Sequence, residues 1–229
     1  MPDGSRTVPP VGNSAPAGKA AGLSLGAYPP CPEDVSTIPR QIAFDKRLFP
    51  AYNGQAEEVG KMTDREQRCC FTGHRPMKLP WGTNEDDPRC LALKLELDAR
   101  LDALYSLGYR RFCCGMAVGC DMYFAEAVLK LRAAHADVRL EAAIPFGDQP
   151  GRWPLPQRQR YNRLLDQADE ITVLQYGYTP DCMLRRNRYM VDRSSLLLAC
   201  YDGRPGGTMS TILYAERSGV RVILIEPPE

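Results

Sequence analysis

The chain has 229 residues, 29 Lys+Arg against 28 Asp+Glu, a formal net charge of +1 and a hydrophobic fraction of 44%. That near-neutral balance argues against a protein that coats nucleic acid by bulk electrostatics, and no apolar run approaches the roughly 18 residues that span a bilayer. The start of the sequence lacks a basic stretch followed by an apolar one, so no secretory signal is expected and a soluble, cytoplasmic protein is.

Residues 1–40 contain 8 Pro and 5 Gly with almost no apolar periodicity, a composition that cannot bury enough surface to offset its ordering entropy. Residues 41–66 hold one aromatic cluster, Phe44, Phe49 and Tyr52. Residues 1–66 are therefore expected to be a disordered or loosely docked extension, and residues 67–229 the folded domain.

From Gln67 strands and helices alternate. The run 68–73 (RCCFTG) reads as a buried strand, and 87–107 as a helix with leucines at near-helical spacing and Gly108 as its stop. Strand 110–116, helix 120–135, strand 138–146, helix 154–169 and strand 170–176 follow. Then come helix 182–195, strand 196–203, helix 209–219 and strand 220–227. Such alternation predicts parallel βαβ units: an α/β, Rossmann-like, doubly wound, mostly parallel sheet with helices on both faces.

The nine cysteines show no Cys-x-x-Cys spacing, and the two histidines, His74 and His135, are far apart. No metal site is expected. Cys69–Cys70 and Cys113–Cys114 lie inside apolar runs and read as small buried hydrophobes with reduced thiols.

In sheets of this kind ligands bind beyond the carboxyl ends of the strands, where strand order reverses. Three loops belong there. Thr72-Gly73-His74-Arg75, after the first strand, offers donors suited to a phosphate or ribose oxygen, or is a plain turn with a solvent-facing Arg. Gly115 and Gly119, just before the second helix, let backbone amides approach an anion; Asp121 is either the cap of that helix or a ligand contact. Glu126 points either back to the pocket or into solvent. Gly206-Gly207-Thr208 again places a glycine turn at a helix start, with Thr208 as cap or phosphate donor. Trp153 can stack on a base or seal its loop. Residues 152–193 contain 8 Arg and no Lys, and Arg favours planar, bidentate phosphate recognition. Arg186 and Asn187, within Arg185-Arg186-Asn187-Arg188, together with Asp192, are the candidates expected at the same sheet edge.

The ordered motifs TGHRP, GMAVGCDMYFAE, PFGDQ, RRNRYMVD and YDGRPGGT resemble the YpsA-like branch of the SLOG superfamily, the group containing the DprA and LOG proteins. The resemblance covers about residues 68–226. It implies a bacterial protein with a Rossmann-like fold and a pocket for nucleotides or nucleotide-derived ligands. LOG enzymes, which split a nucleoside monophosphate into base and ribose phosphate, carry PGGxGTxxE. Here Pro205-Gly206-Gly207-Thr208-Met209-Ser210-Thr211 lacks the second Gly-Thr, and Thr211 stands where the carboxylate would follow.

The leading expectation is binding or sensing of a nucleotide-like small molecule, its phosphate held by the glycine-rich loops, with no other cofactor. The first alternative is an N-glycoside hydrolase acting on a nucleotide, with Glu126 or Asp121 as its acid. The second is single-stranded DNA binding of the DprA kind through Arg185, Arg186 and Arg188 beside Tyr189, which the charge balance disfavours. No membrane contact is expected, and a homo-oligomer is compatible with the sequence.

Overall fold

The computed structural model describes residues 62–229; the expected N-terminal extension lies outside them except for residues 62–66. Those five already belong to the body. Asp64 pairs with Arg68 at 3.1 Å and with Arg111 at 2.5 Å, and Thr63 and Glu66 hydrogen-bond each other's backbone amides.

Six strands alternate with five helices: β1 (Arg68–Gly73), α1 (Pro88–Ser106), β2 (Arg111–Cys114), α2 (Cys120–Ala134), β3 (Arg139–Ile144), α3 (Leu155–Leu165), β4 (Glu170–Val173), α4 (Cys182–Asp192), β5 (Leu196–Cys200), α5 (Gly207–Arg217) and β6 (Arg221–Ile225). Each expected element is present, with boundaries trimmed by a few residues. Helix α5 begins at Gly207, two residues earlier than its apolar pattern announces, because glycines seldom signal helix. A 3₁₀ turn at Pro76–Lys78 was not expected.

The local reasons are visible in α1. Asp87 caps it, accepting the Arg89 amide at 2.9 Å, and Pro88 stands where no amide partner is required. Cys90, Leu93, Leu97, Leu101 and Leu104 form its buried stripe, and Gly108, at φ +95°, turns the chain away.

The strands are all parallel, in the order β4-β3-β2-β1-β5-β6. The chain steps outward from β1 to β4, and α4 then carries it back to β5 on the other side of β1. Strand order therefore reverses between β1 and β5. Helices α1, α2 and α3 pack in sequence on one face, and α4 on α5 on the other. Because side chains alternate along a strand, Phe71 and Phe112 enter the first core, where Phe71 stacks on Phe124 at 4.4 Å. Cys70, Cys113 and Ala143 enter the second with Met190 and Ile212. The eight described cysteines are free and buried, and burial pushes the Cys70 thiol up to about 12. They behave as small hydrophobes.

Parallel strands gather the helix N-termini at the carboxyl edge and the C-termini at the amino edge. Arginines answer the exposed carbonyls at the amino edge: Arg110 donates to the Tyr105 carbonyl at 2.6 Å, Arg132 to Gln167 at 2.8 Å and Arg139 to Ala136 at 2.8 Å. Arg68 is only 3% exposed and is held by Glu141, whose other oxygen accepts the hydroxyls of Thr172 at 3.0 Å and Tyr189 at 2.8 Å.

Removing Glu141 strands a buried guanidinium. Glu141→Ala is expected to cost about 3–5 kcal/mol in denaturant unfolding, whereas Arg68→Met combined with Glu141→Leu recovers most of that loss. A cost below about 1 kcal/mol for the single variant would show that the pair is solvated.

Candidate functional site

The reversal between β1 and β5 brings Gly73-His74-Arg75 against Tyr201-Asp202-Gly203, with the β2–α2 loop beside them. His74 ties these segments together. Its backbone carbonyl accepts the Cys120 amide, at the start of α2, at 3.2 Å. Its ring Nε2 lies 2.7 Å from Asp202 Oδ1. Asp202 also accepts the Arg204 amide at 3.0 Å and its side chain at 2.5 Å. Lys78, from the 3₁₀ turn, donates to the Pro205 carbonyl at 2.7 Å, and Arg204 returns a bond to the Lys78 carbonyl at 3.3 Å. One residue's ring and one lysine latch the β1 loop onto the β5–α5 loop.

The two glycine-rich bends lie at the same edge but differ in what occupies them. The 115–121 bend is filled by the protein itself. Asp121 is buried and accepts the Ala117 amide at 3.3 Å, and Gln149 donates to the carbonyls of Gly115 and Met116, each at 3.1 Å. The Arg186 guanidinium from α4 occupies the space a side chain at Gly115 would need. Gly73 and Gly119 serve the same closeness: a Cβ on the first would collide with Cys120, and on the second with the His74 carbonyl.

The 203–208 bend is open. A Cβ on Gly203 or Gly207 would meet nothing within 4 Å, and one on Gly206 would meet Lys78 Nζ at 2.5 Å. Gly206 stands at φ +154° immediately before α5, a conformation that only glycine adopts readily. A cation therefore rests beside the positive end of a helix, with Thr208 in the first turn of that helix.

A buried polar chain runs beneath both bends. Arg186 Nη1 lies 3.7 Å from Asp121, Arg186 Nε donates to Asn187 at 2.7 Å, and Asn187 donates to Thr211 at 2.7 Å. Thr211 in turn donates to the Gly207 carbonyl at 2.8 Å. Three atoms of this region are buried with no hydrogen-bond partner among the described residues: Arg186 Nη1, Gln149 Oε1 and the Tyr201 hydroxyl.

Burial is the strongest influence on His74 and lowers its pKa below 6.5; Asp202 opposes this, and Lys78 and Arg204 reinforce it. Burial would raise Asp202, but the Arg204 amide, His74 and the Arg204 side chain outweigh it and hold that carboxyl below 3.8. Burial pushes Asp121 up despite Arg186, the Ala117 amide and Arg75.

Of the residues singled out from the sequence, Thr72, Gly73, His74, Arg75, Gly115, Gly119, Asp121, Arg186, Asn187, Gly206, Gly207 and Thr208 come together at this edge. Two lie elsewhere, and Trp153, in the loop between β3 and α3 at the same edge, packs on the helix that follows it. Asp192 closes α4 at the opposite edge, where it accepts the Tyr214 hydroxyl at 2.8 Å; eleven helical residues carry the chain from one edge to the other. Trp153 packs edge-on against Tyr161, ring centroids 5.4 Å apart. Glu126 faces α3, where Arg160 binds both its oxygens at 2.7 and 2.6 Å. The arginines of α4 form no common stripe: Arg185 reaches Gln175 at 3.3 Å, Arg186 is buried and Arg188 lies over the Tyr214 ring. Lys78, Gln149, Asp202 and Thr211 were not singled out from the sequence. Asp202 was open to discovery, since it follows β5 directly at the ligand edge, but nothing in the periodicity announces the 3₁₀ turn that delivers Lys78.

A family model described as the YspA SLOG family (YpsA) matches residues 69–219. The chain belongs to the YspA SLOG family. The matched span runs from β1 to the turn before β6 and includes both glycine-rich bends. This YspA SLOG chain is 31% identical over 145 residues to the uncharacterized SPbeta prophage-derived protein YoqJ of Bacillus subtilis (strain 168), covering 58% of this chain and 85% of that protein. It is 30% identical over 139 residues to a UPF0398 protein of Bacillus pumilus (strain SAFR-032), covering 60% and 74%. Among solved structures it is similar to DNA processing protein A (DprA) from Streptococcus pneumoniae, with TM-score 0.47, 13% identity and 69% of this chain covered; it spans about half of that longer chain, 49%. Among the described residues, no cluster of three or more His, Cys, Asp or Glu could hold a metal ion, and no helix is long and apolar enough to cross a membrane.

The His74–Asp202 pair has a pH signature. Folding lowers the His74 pKa, so the unfolded chain binds the proton more readily, and stability falls as pH drops below 6.5 through the lower folded value. His74→Gln is expected to flatten the thermal-midpoint profile between about pH 7 and pH 5, the range in which histidine titrates. An unchanged slope in the variant would assign the effect to another group.

Proposed function

We propose that the crevice at the carboxyl edge binds a phosphorylated, nucleotide-like small molecule. One observation carries the reading. Arg186 is 5% exposed, yet its Nη1 has no hydrogen-bond partner among the described residues and lies beside the glycine bend. Leaving a buried polar group unpaired costs about 1–3 kcal/mol, a cost that a ligand acceptor removes. Gln149 Oε1 and the Tyr201 hydroxyl carry the same debt nearby, and complementary donors and acceptors of this kind suit a ribose or base edge.

The phosphate is assigned to the open bend. Lys78 Nζ, the start of α5 and Arg204 supply charge and amides there. The closed bend, whose Ala117 amide already serves Asp121, contributes positioning rather than a second anion seat. Membership of the YspA SLOG family supports a ligand-binding role without naming the ligand.

A second reading, hydrolysis of an N-glycosidic bond, is favoured by one group. Asp121 is buried and burial raises its pKa, the direction a general acid needs. Glu126 is the weaker candidate, since both its oxygens are taken by Arg160. Under this reading Asp121→Asn abolishes release of free base in a chromatographic assay, while nucleotide binding persists.

Calorimetric titration with AMP, ADP, ADP-ribose and ribose 5-phosphate tests binding. Saturable heat is expected for phosphorylated compounds and not for adenosine. Lys78→Ala should weaken binding by at least about tenfold, or 1.4 kcal/mol, and Glu126→Gln should leave it unchanged. Silence across the whole set would refute the proposal.

A further inference from the structure

The amino edge of the sheet, opposite the crevice, holds a cavity of about 320 Å³ lined by Arg68, Arg111, Arg139, Glu141, Asp169 and Glu170, with Phe112 and Leu140 behind them. We propose that this cavity is a second ligand site and that it takes a small zwitterion of the free α-amino-acid class.

Strand register places the charges. Arg68 is opposite Arg111, Arg111 opposite Arg139, and Glu141 opposite Glu170. In-register neighbours, and residues two apart on one strand, project to the same face. All five side chains therefore point to the side that α4 covers, where Tyr189 meets Glu141. The three arginines stand on adjacent strands about 4.8 Å apart.

Half of these charges are already committed. Arg68 is engaged by Glu141 and Asp64. Glu141 also accepts Thr172 and Tyr189. Asp169 accepts the Leu140 amide at 2.8 Å and Arg132 at 2.7 Å. The other half is committed only in part. Among the described residues Arg111 is paired through Nε alone, to Asp64. Arg139 spends Nη1 on two backbone carbonyls, and its Nε stands 3.8 Å from Asp169. Glu170 is exposed and has no hydrogen bond or ion pair among the described residues.

The cavity thus presents two guanidinium groups with open donors on neighbouring strands, and one unpaired carboxylate a strand further on. Three arginines face three acids, so the lining is neutral overall and offers a simple anion no net attraction. A molecule carrying both signs matches each end. Its carboxylate meets the planar donors of Arg111 and Arg139, the geometry in which arginine binds carboxylates best. Its ammonium meets Glu170. The volume lies at the lower end of the roughly 300–1,000 Å³ of small-molecule sites.

Calorimetric titration of the full chain with glycine, glutamate and lysine tests the assignment, with N-acetylglycine and ethanolamine as one-ended controls. At least one amino acid should bind saturably, and both controls at least about tenfold more weakly. The titrations are repeated in Lys78→Ala, so that an anion at the opposite edge is not counted. Arg111→Ala with Arg139→Ala should abolish binding while the circular-dichroism melt stays cooperative. Glu170→Gln, on an exposed side chain, should erase the preference for glycine over N-acetylglycine and serves as the test if the double variant does not fold. Silence of all three amino acids overturns the proposal. So does N-acetylglycine or inorganic phosphate binding as tightly as glycine.

Discussion

The direction of the strands governs the molecule. Because all six run the same way, every helix begins at one edge and ends at the other. Partial positive charge collects at the carboxyl edge and partial negative charge at the amino edge. The side chains divide accordingly. Arginines that bond helix-end carbonyls crowd the amino edge. The carboxyl edge carries glycine bends, a buried carboxylate and a latching lysine. An antiparallel strand anywhere in the sheet would mix the two populations.

The carboxyl edge is itself divided, and the division has a steric cause. Arg186 can lie over Gly115 only because that residue has no Cβ, and Asp121 can reach back to the bend only because α2 starts there. The protein's own charged pair fills that bend. At the second bend a Cβ would meet only Lys78 among the described residues, so the space there lies at the start of α5. Two bends of similar composition thus have different roles, set by the neighbours that the topology brings to each.

That distinction marks the boundary of what the sequence discloses. Alternating apolar runs disclosed every strand and helix; for the inner strands this is because burial on both faces imposes a pattern that local residues must carry, while the outer β4 is largely exposed. The edge to inspect followed from the general rule for such sheets; the strand order that places the reversal between β1 and β5 came from the structure. Occupancy of the bends did not. Arg186 and Gly115 are 71 positions apart, and nothing local in either says that one fills the other. Asp192 illustrates the reverse error: proximity in sequence to Arg186 suggested a shared edge, but the length of α4 separates them. Lys78 was hidden because a 3₁₀ turn of three residues leaves no periodic trace.

Why these buried polar groups persist is a question of energetics. An apolar core at the same positions would forgo the desolvation cost of Arg186 and Asp121, which is large for any buried ion. A polar chain running from Asp121 through Arg186 and Asn187 to Thr211 and the Gly207 carbonyl instead fixes α2, α4 and α5 relative to one another at the point where they converge. The chain ends at the open bend, so a guest there would be sensed by every member of it. Arg186 Nη1 lies 3.7 Å from Asp121 and has no hydrogen-bond partner among the described residues, so the network is short of one acceptor, and an acceptor there would lock the three helix starts together. On the proposed reading, ligand capture and rigidification of this edge are the same physical event.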